Sequence, residues 1–152
     1  MNLVENKMNL DRFKNTKVYK LCQENKFVLL SFFTAIGIML LIMYCYSMVP
    51  FGDNTILRMD LYHQYGPLFA ELYDRLTGDG GLIYSWQSGG GGSFLGNFFN
   101  YLSSPLSLLI ILFGHINITD AIMFLIVMKA ALSAATFTYY LKASTEFKKH
   151  NA

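Results

Sequence analysis

FVLLSFFTAIGIMLLIMYCYSMV, residues 27–49, is a run of 23 residues without a charge. A helix of that length rises about 34 Å, against a hydrocarbon core of about 30 Å, so the run is long enough to cross a bilayer with some tilt. The rival reading is a cleaved signal peptide, but its apolar core is shorter and ends at a small-x-small site that this run lacks. On the N-terminal side stand Lys7, Arg12, Lys14, Lys17, Lys20 and Lys26 against Glu5, Asp11 and Glu24. That basic excess places residues 1–26 in the cytoplasm and sends the chain from Pro50 onward to the far side.

The other half of the chain offers one long segment and one short one. Between Asp79 and Asp120 there is no Asp, Glu, Lys or Arg. Within that stretch Ser104–Phe113 (SPLSLLIILF) is strongly apolar, but ten residues rise only about 15 Å, half a bilayer, and suit a re-entrant or interfacial segment. Extension back to Phe98 leaves the segment short and interrupted by Pro105. Residues 118–141 (ITDAIMFLIVMKAALSAATFTYYL) are long enough to span, and Lys142, Lys148 and Lys149 come after them. Charge therefore favours two transmembrane helices with the 142–152 tail cytoplasmic, and it leaves 50–117 as a large extracytoplasmic loop. The fold class expected is an all-α membrane protein, its loop carrying juxtamembrane or amphipathic helices at about 55–77 and 98–113.

Composition restricts the function classes. With 53% hydrophobic and 14% charged residues, a soluble domain of this size would expose too much apolar surface. The net charge of +2 comes from the two basic flanks, which suit an anionic cytoplasmic leaflet and make no case for nucleic acid. Cys22 falls on the cytoplasmic side and Cys45 inside the first span, so no disulfide is expected between them.

The loop concentrates the reactive side chains. Asp53 or Asn54 can cap a helix starting at Thr55, and Leu57, Leu61, Tyr65, Leu68, Leu72 and Leu76 then form one apolar stripe, with Gly66-Pro67 kinking or dividing it. On a continuous helix Asp53 and Asp60 lie nearly two turns apart, and His63 and Gln64 sit one turn beyond Asp60, on a face away from that stripe. A carboxylate so placed can serve as a general base or bind a divalent cation; equally, Asp53 is only a cap and Asp60 a solvated residue. Further on, GDGGLIYSWQSGGGGSFLGNFFNYLSSP is rich in glycine and aromatics. Its four consecutive glycines permit a close backbone approach to a phosphate or sugar, or simply a turn. Trp86, Tyr84 and Tyr101 fit an interfacial aromatic belt or a carbohydrate-stacking surface. In the second long segment Lys129 lies near mid-bilayer, on one helical face with Ser133, Thr136 and Tyr140, while Ile122, Leu125 and Leu132 meet lipid or other helices.

The order PFGDNTILRMDLYHQYGPLF, then IYSWQSGGGGSFLGNFFNYLSSPLSLLIILF, then an apolar span holding a lysine, resembles the N-terminal part of the YfhO family of bacterial multi-pass membrane proteins. The resemblance covers about residues 27–142. That family is related to GT-C glycosyltransferases, which transfer sugars from polyprenyl-phosphate carriers on the outer face of the membrane. The resemblance implies an essential acidic residue in the first extracytoplasmic loop, a role that falls to Asp60 with Asp53 as second candidate, and a juxtamembrane helix opened by Ser104-Pro105. On that chemistry Asp53, His63, Gln64, Trp86 and Lys129 are the residues expected to bind substrate, Asp60 can deprotonate the acceptor or hold a divalent cation, with no cofactor otherwise indicated, and the family suggests teichoic acid or another surface glycan as acceptor. Members of the family are several times longer, so this chain is expected to be a fragment, a truncated product or one part of a split protein, inactive without further spans or a partner membrane protein. A non-catalytic assembly or transporter subunit is the alternative, and it differs in tolerating Asn at position 60.

Overall fold

The computed structural model describes residues 17–78 and 80–150. Lys7, Arg12 and Lys14 of the basic flank, and Asp79, lie outside the described residues. The described chain is mostly helical, and two of its helices are long and apolar enough to cross a membrane: Lys26–Cys45, of mean hydropathy 2.4, and His115–Thr145, of mean hydropathy 1.8. The chain divides into two units, with boundaries at Ile38/Met39 and Lys129/Ala130.

The first unit holds helix α1 (Lys17–Glu24), the start of helix α2 (Lys26–Cys45) and the C-terminal half of helix α5 (Ile118–His150). Asn25 separates α1 from α2 and turns its amide back to the Leu21 carbonyl. The Lys142 ammonium closes the same corner, donating to the Glu24 carbonyl at 2.8 Å and to Asn25 Oδ1 at 3.2 Å. A cation on the last carbonyl of α1 answers the partial negative charge at a helix C-terminus. Nearer the middle of α2, Ser31 Oγ donates to the Val28 carbonyl and reaches that of Ala134 at 3.4 Å.

In the second unit the chain leaves α2 through a tight loop rather than continuing the helix to Val49. Ser47 takes a positive φ of 50°, and Asn54 returns to the end of α2, its side chain donating to the Tyr46 carbonyl and its backbone N–H to that of Ser47. The Val49–Pro50 bond inside this loop is cis. Gly52 is required by the close approach: a Cβ there would lie 2.5 Å from the Ser47 carbonyl oxygen. Helix does not resume at Thr55. Met59 has a φ of 49°, and helical structure begins with the π turn Leu61–Tyr65, followed by α3 (Gly66–Thr77) with Pro67 in its first turn. Because proline lacks an N–H, it is tolerated there and not in the helix interior. Gly78, at φ 108°, ends α3.

A two-residue hairpin, β1 (Tyr84–Ser85) with β2 (Gly92–Ser93), is antiparallel in the register Tyr84 opposite Ser93. Ser93 Oγ then accepts from Gly96 N–H and caps the short α4 (Phe94–Asn97), which continues as a second π turn, Phe98–Leu102. At Ser103-Ser104 the path bends by 104° into the 3-10 helix Pro105–Leu112. Ser104 is extended, as the residue before a proline prefers. The expected single helix over 98–113 is thus two pieces, and their bend makes them a broken span or a re-entrant loop.

These elements share one core. Leu57, Leu68, Leu72, Phe94, Leu102 and Ile110 are buried with Ala121, Ile122 and Leu125 of α5, and Leu61 and Tyr65 pack at its edge. The expected stripe is therefore the buried face from Leu57 to Leu72, while Leu76 is exposed. Deleting a buried ring such as that of Phe94 typically costs about 3–5 kcal/mol.

The two glycines bracketing the end of α2 should respond oppositely to alanine. Gly37 has open space around its Cβ position and sits mid-helix, so Gly37→Ala is expected to hold or raise the thermal midpoint in phospholipid nanodiscs. Gly52→Ala should lower it, because the Ser47 backbone must move. Equal midpoints for the two variants would contradict the tight loop.

Candidate functional site

Asp60 stands at the head of the first π turn, with helical backbone angles (φ −60°, ψ −32°) and no capping hydrogen bond from its side chain. It is exposed, and among the described residues the ion pairs are Glu71–Arg75 and Asp74–His115, neither of which involves it. Its carboxylate is free to meet a ligand. His63 and Gln64 come three and four residues later on the same turn, His63 exposed and stacked edge-on against Tyr62 at 5.1 Å, Gln64 half-buried. The last residue of that turn, Tyr65, packs edge-on against Tyr101 of the second π turn, with ring centroids 5.5 Å apart. Single π turns recur at functional sites, where they re-aim side chains that an α-helix would place elsewhere.

The other expected residues do not join this group. Asp53 is exposed in the Tyr46–Asn54 loop and caps no helix, since Thr55–Met59 separate it from the π turn. The two aspartates consequently do not share a helical face. Trp86 is 78% exposed at the tip of the hairpin, its indole edge-on to Tyr84 at 5.0 Å. The hairpin hangs from the far end of α3, roughly 20 Å along the helical segment from Asp60. Lys129 is exposed on α5, as are Ser133, Thr136 and Tyr140, whereas Ile122 and Leu125 are buried in the core and Leu132 is half-buried. Among the described residues no three His, Cys, Asp or Glu side chains converge to hold a metal ion. A cation at Asp60 would find a single carboxylate there.

A second polar cluster lies at the C-terminal end of α3. Arg75 and Glu71, one turn apart, are both buried, with side chains 7% and 5% exposed. The guanidinium donates from Nε (3.1 Å) and Nη2 (2.6 Å) to Glu71 Oε1, and from Nη2 to the Tyr84 carbonyl at 3.0 Å. Its plane lies 4.2 Å from the centroid of the Phe94 ring. One side chain thus ties α3 to β1 and to α4. The nearby glycine run is spent on the hairpin: Gly89, Gly90 and Gly91 have positive φ, and a Cβ on Gly91 would run into the Tyr84 hydroxyl. The i, i+4 spacing of Glu71 and Arg75 is legible in the sequence as a helix pair, but its burial is not.

Two apolar helices long enough to span a bilayer, joined through a polar loop that folds onto one of them, define a membrane protein. Residues 31–151 match the family described as bacterial membrane protein YfhO, and the chain belongs to that family. No curated protein and no solved structure matches it.

Removing one member of the buried pair leaves the other charge uncompensated, at a cost of about 3–5 kcal/mol, whereas replacing both by apolar residues is often neutral. Glu71→Ala should therefore unfold well below the wild type in nanodiscs. The double variant Glu71→Leu/Arg75→Met should recover most of the loss. Were the double variant to unfold as early as Glu71→Ala, the loss would come from the missing Arg75 contacts to Tyr84 and Phe94 and not from an uncompensated charge.

Proposed function

We propose that this YfhO-family protein takes part in glycosyl transfer of the GT-C type, moving a sugar from a polyprenyl-phosphate carrier to a cell-surface glycan such as teichoic acid at the extracytoplasmic face. The observation that carries the proposal is the unpaired, exposed Asp60 carboxylate, held with His63 and Gln64 on a π turn that packs against a second one. A carboxylate with no ion-pair partner among the described residues is available as a general base. In this reading an acceptor hydroxyl gives its proton to Asp60 as its oxygen attacks the anomeric carbon. The bond from that carbon to the carrier phosphate breaks, and the phosphate leaves with the electron pair. His63 and Gln64 orient the sugar or phosphate, and Asp53 lies in the neighbouring loop.

The reading also needs residues 50–117 outside and both termini in the cytoplasm. Labelling of single cysteines with an impermeant maleimide, in a background lacking Cys22 and Cys45, tests this. Gln87→Cys should label in intact cells and Thr145→Cys only after permeabilisation. External labelling of Thr145→Cys would mean that the bent 94–112 segment crosses as a third span.

Asp60→Asn removes the charge and nearly preserves the shape. A general base contributes about 10²–10⁴-fold, so transfer of labelled sugar from the polyprenyl-phosphate donor should fall at least about 100-fold, with membrane insertion unchanged. Wild-type transfer by Asp60→Asn would sink the assignment and favour an assembly role. Asp53→Asn should have the smaller effect.

A further inference from the structure

We propose that the cavity at the C-terminal end of α3, between the buried Arg75 and the exposed face of Trp86, is a saccharide subsite that binds a pyranose unit of the acceptor glycan away from the reacting sugar. The cavity measures about 510 Å³, within the range of about 300–1,000 Å³ usual for small-ligand sites. Arg75, Gly80, Gly81, Tyr84, Trp86 and Gln87 contribute to its lining.

Three features identify the ligand class. First, Arg75 Nη1 is buried and among the described residues has no hydrogen-bond partner, although Nε and Nη2 of the same guanidinium are bound. An unmade bond on a buried charged group costs free energy that a ligand acceptor would recover. Gly80 is the neighbour of this nitrogen, a Cβ there lying 3.6 Å from Nη1, and both residues line the cavity. Second, Glu71 already balances the Arg75 charge at 2.6 Å. The Arg75–Glu71 pair thus offers a hydrogen-bond donor without net charge, which suits a hydroxyl oxygen better than a phosphate. Third, Tyr84 and Trp86 remain 48% and 78% exposed, presenting aromatic surface to the same cavity. An uncharged ring carrying hydroxyls on its edge and C–H groups on its faces, a pyranose, meets all three conditions.

Position assigns the ring to the acceptor. The cavity lies roughly 20 Å from Asp60 along the helical segment, too far for the sugar held here to be the one that reacts there. Binding energy from such a remote part of a substrate can be used to position the reacting end. This assignment to an acceptor rests on the glycosyl-transfer reading above; the saccharide subsite itself does not.

Trp86 is the sole tryptophan of the chain, so its emission reports on the site directly. The full chain in phospholipid nanodiscs is titrated with methyl glycosides of glucose and N-acetylglucosamine, and separately with inorganic phosphate. The expected result is a saturable change in emission with at least one glycoside and none with phosphate. Arg75→Lys, which keeps the charge but loses Nη1, should weaken that response at least tenfold. Should Arg75→Lys fail to fold, Gly81→Leu replaces it: its Cβ meets nothing within 4 Å and the longer side chain fills the cavity. Glycoside titration without a saturable change, an unaltered response in Gly81→Leu, or saturation by phosphate would each overturn the proposal. Asp60→Asn separates the two readings. Retained glycoside binding with lost transfer supports both, whereas retained binding with retained transfer removes the catalytic assignment and leaves the subsite standing.

Discussion

The second unit depends on one buried ion pair. Arg75 reaches Glu71 on its own helix, the Tyr84 carbonyl on β1 and the Phe94 ring at the start of α4. Burying two charges is expensive, and their attraction offsets the cost only when further hydrogen bonds and good geometry accompany it. Here one guanidinium supplies that geometry to three elements at once. The hairpin has only two residues per strand, far too few to be stable by itself, so its place is set by this side chain and by the burial of Phe94 and Ser85.

Sequence patterns disclosed the parts of this structure that are local and missed those that are not. The two candidate spans were legible because length and apolarity are properties of a continuous segment. The stripe from Leu57 to Leu72 was legible for the same reason. The helix start was misplaced at Thr55 because Asn54, a good helix cap in isolation, gives its donors to Tyr46 and Ser47 across the loop, and because Met59 adopts a left-handed φ. Nothing in the residue types at 53–60 announces that competition. The bend at Ser103-Ser104 was marked by Pro105, yet its 104° is set by packing of Leu102 and Ile110 in the core.

The candidate site divides along the same line. Asp60, His63 and Gln64 stay together because they are near in sequence, whatever form of helix carries them. Asp53 falls away because the intervening residues are not helical. Glu71 and Arg75 could be paired from their spacing, but most such pairs are solvated and contribute little. The guanidinium is held by the Tyr84 carbonyl and the Phe94 ring, groups brought in by the hairpin and by the helix that follows it. The glycine run was legible as a turn, and the residue it makes room for, Tyr84, emerged only with the fold.

Lys129 poses the remaining energetic question. If α5 spans the bilayer, a lysine near its middle costs about 2.5–3.5 kcal/mol on insertion scales. From mid-bilayer either interface is about 15 Å away, beyond the reach of a lysine side chain. Among the described residues it has no ion-pair partner, and Leu125 and Ile122, one and two turns earlier on the same stripe of α5, are buried in the apolar core. The compensating acceptor must therefore approach the exposed side that Lys129 shares with Ser133 and Tyr140. For the glycosyl-transfer reading, this is the side on which a carrier phosphate, or a carboxylate from another span, has the most to gain by binding.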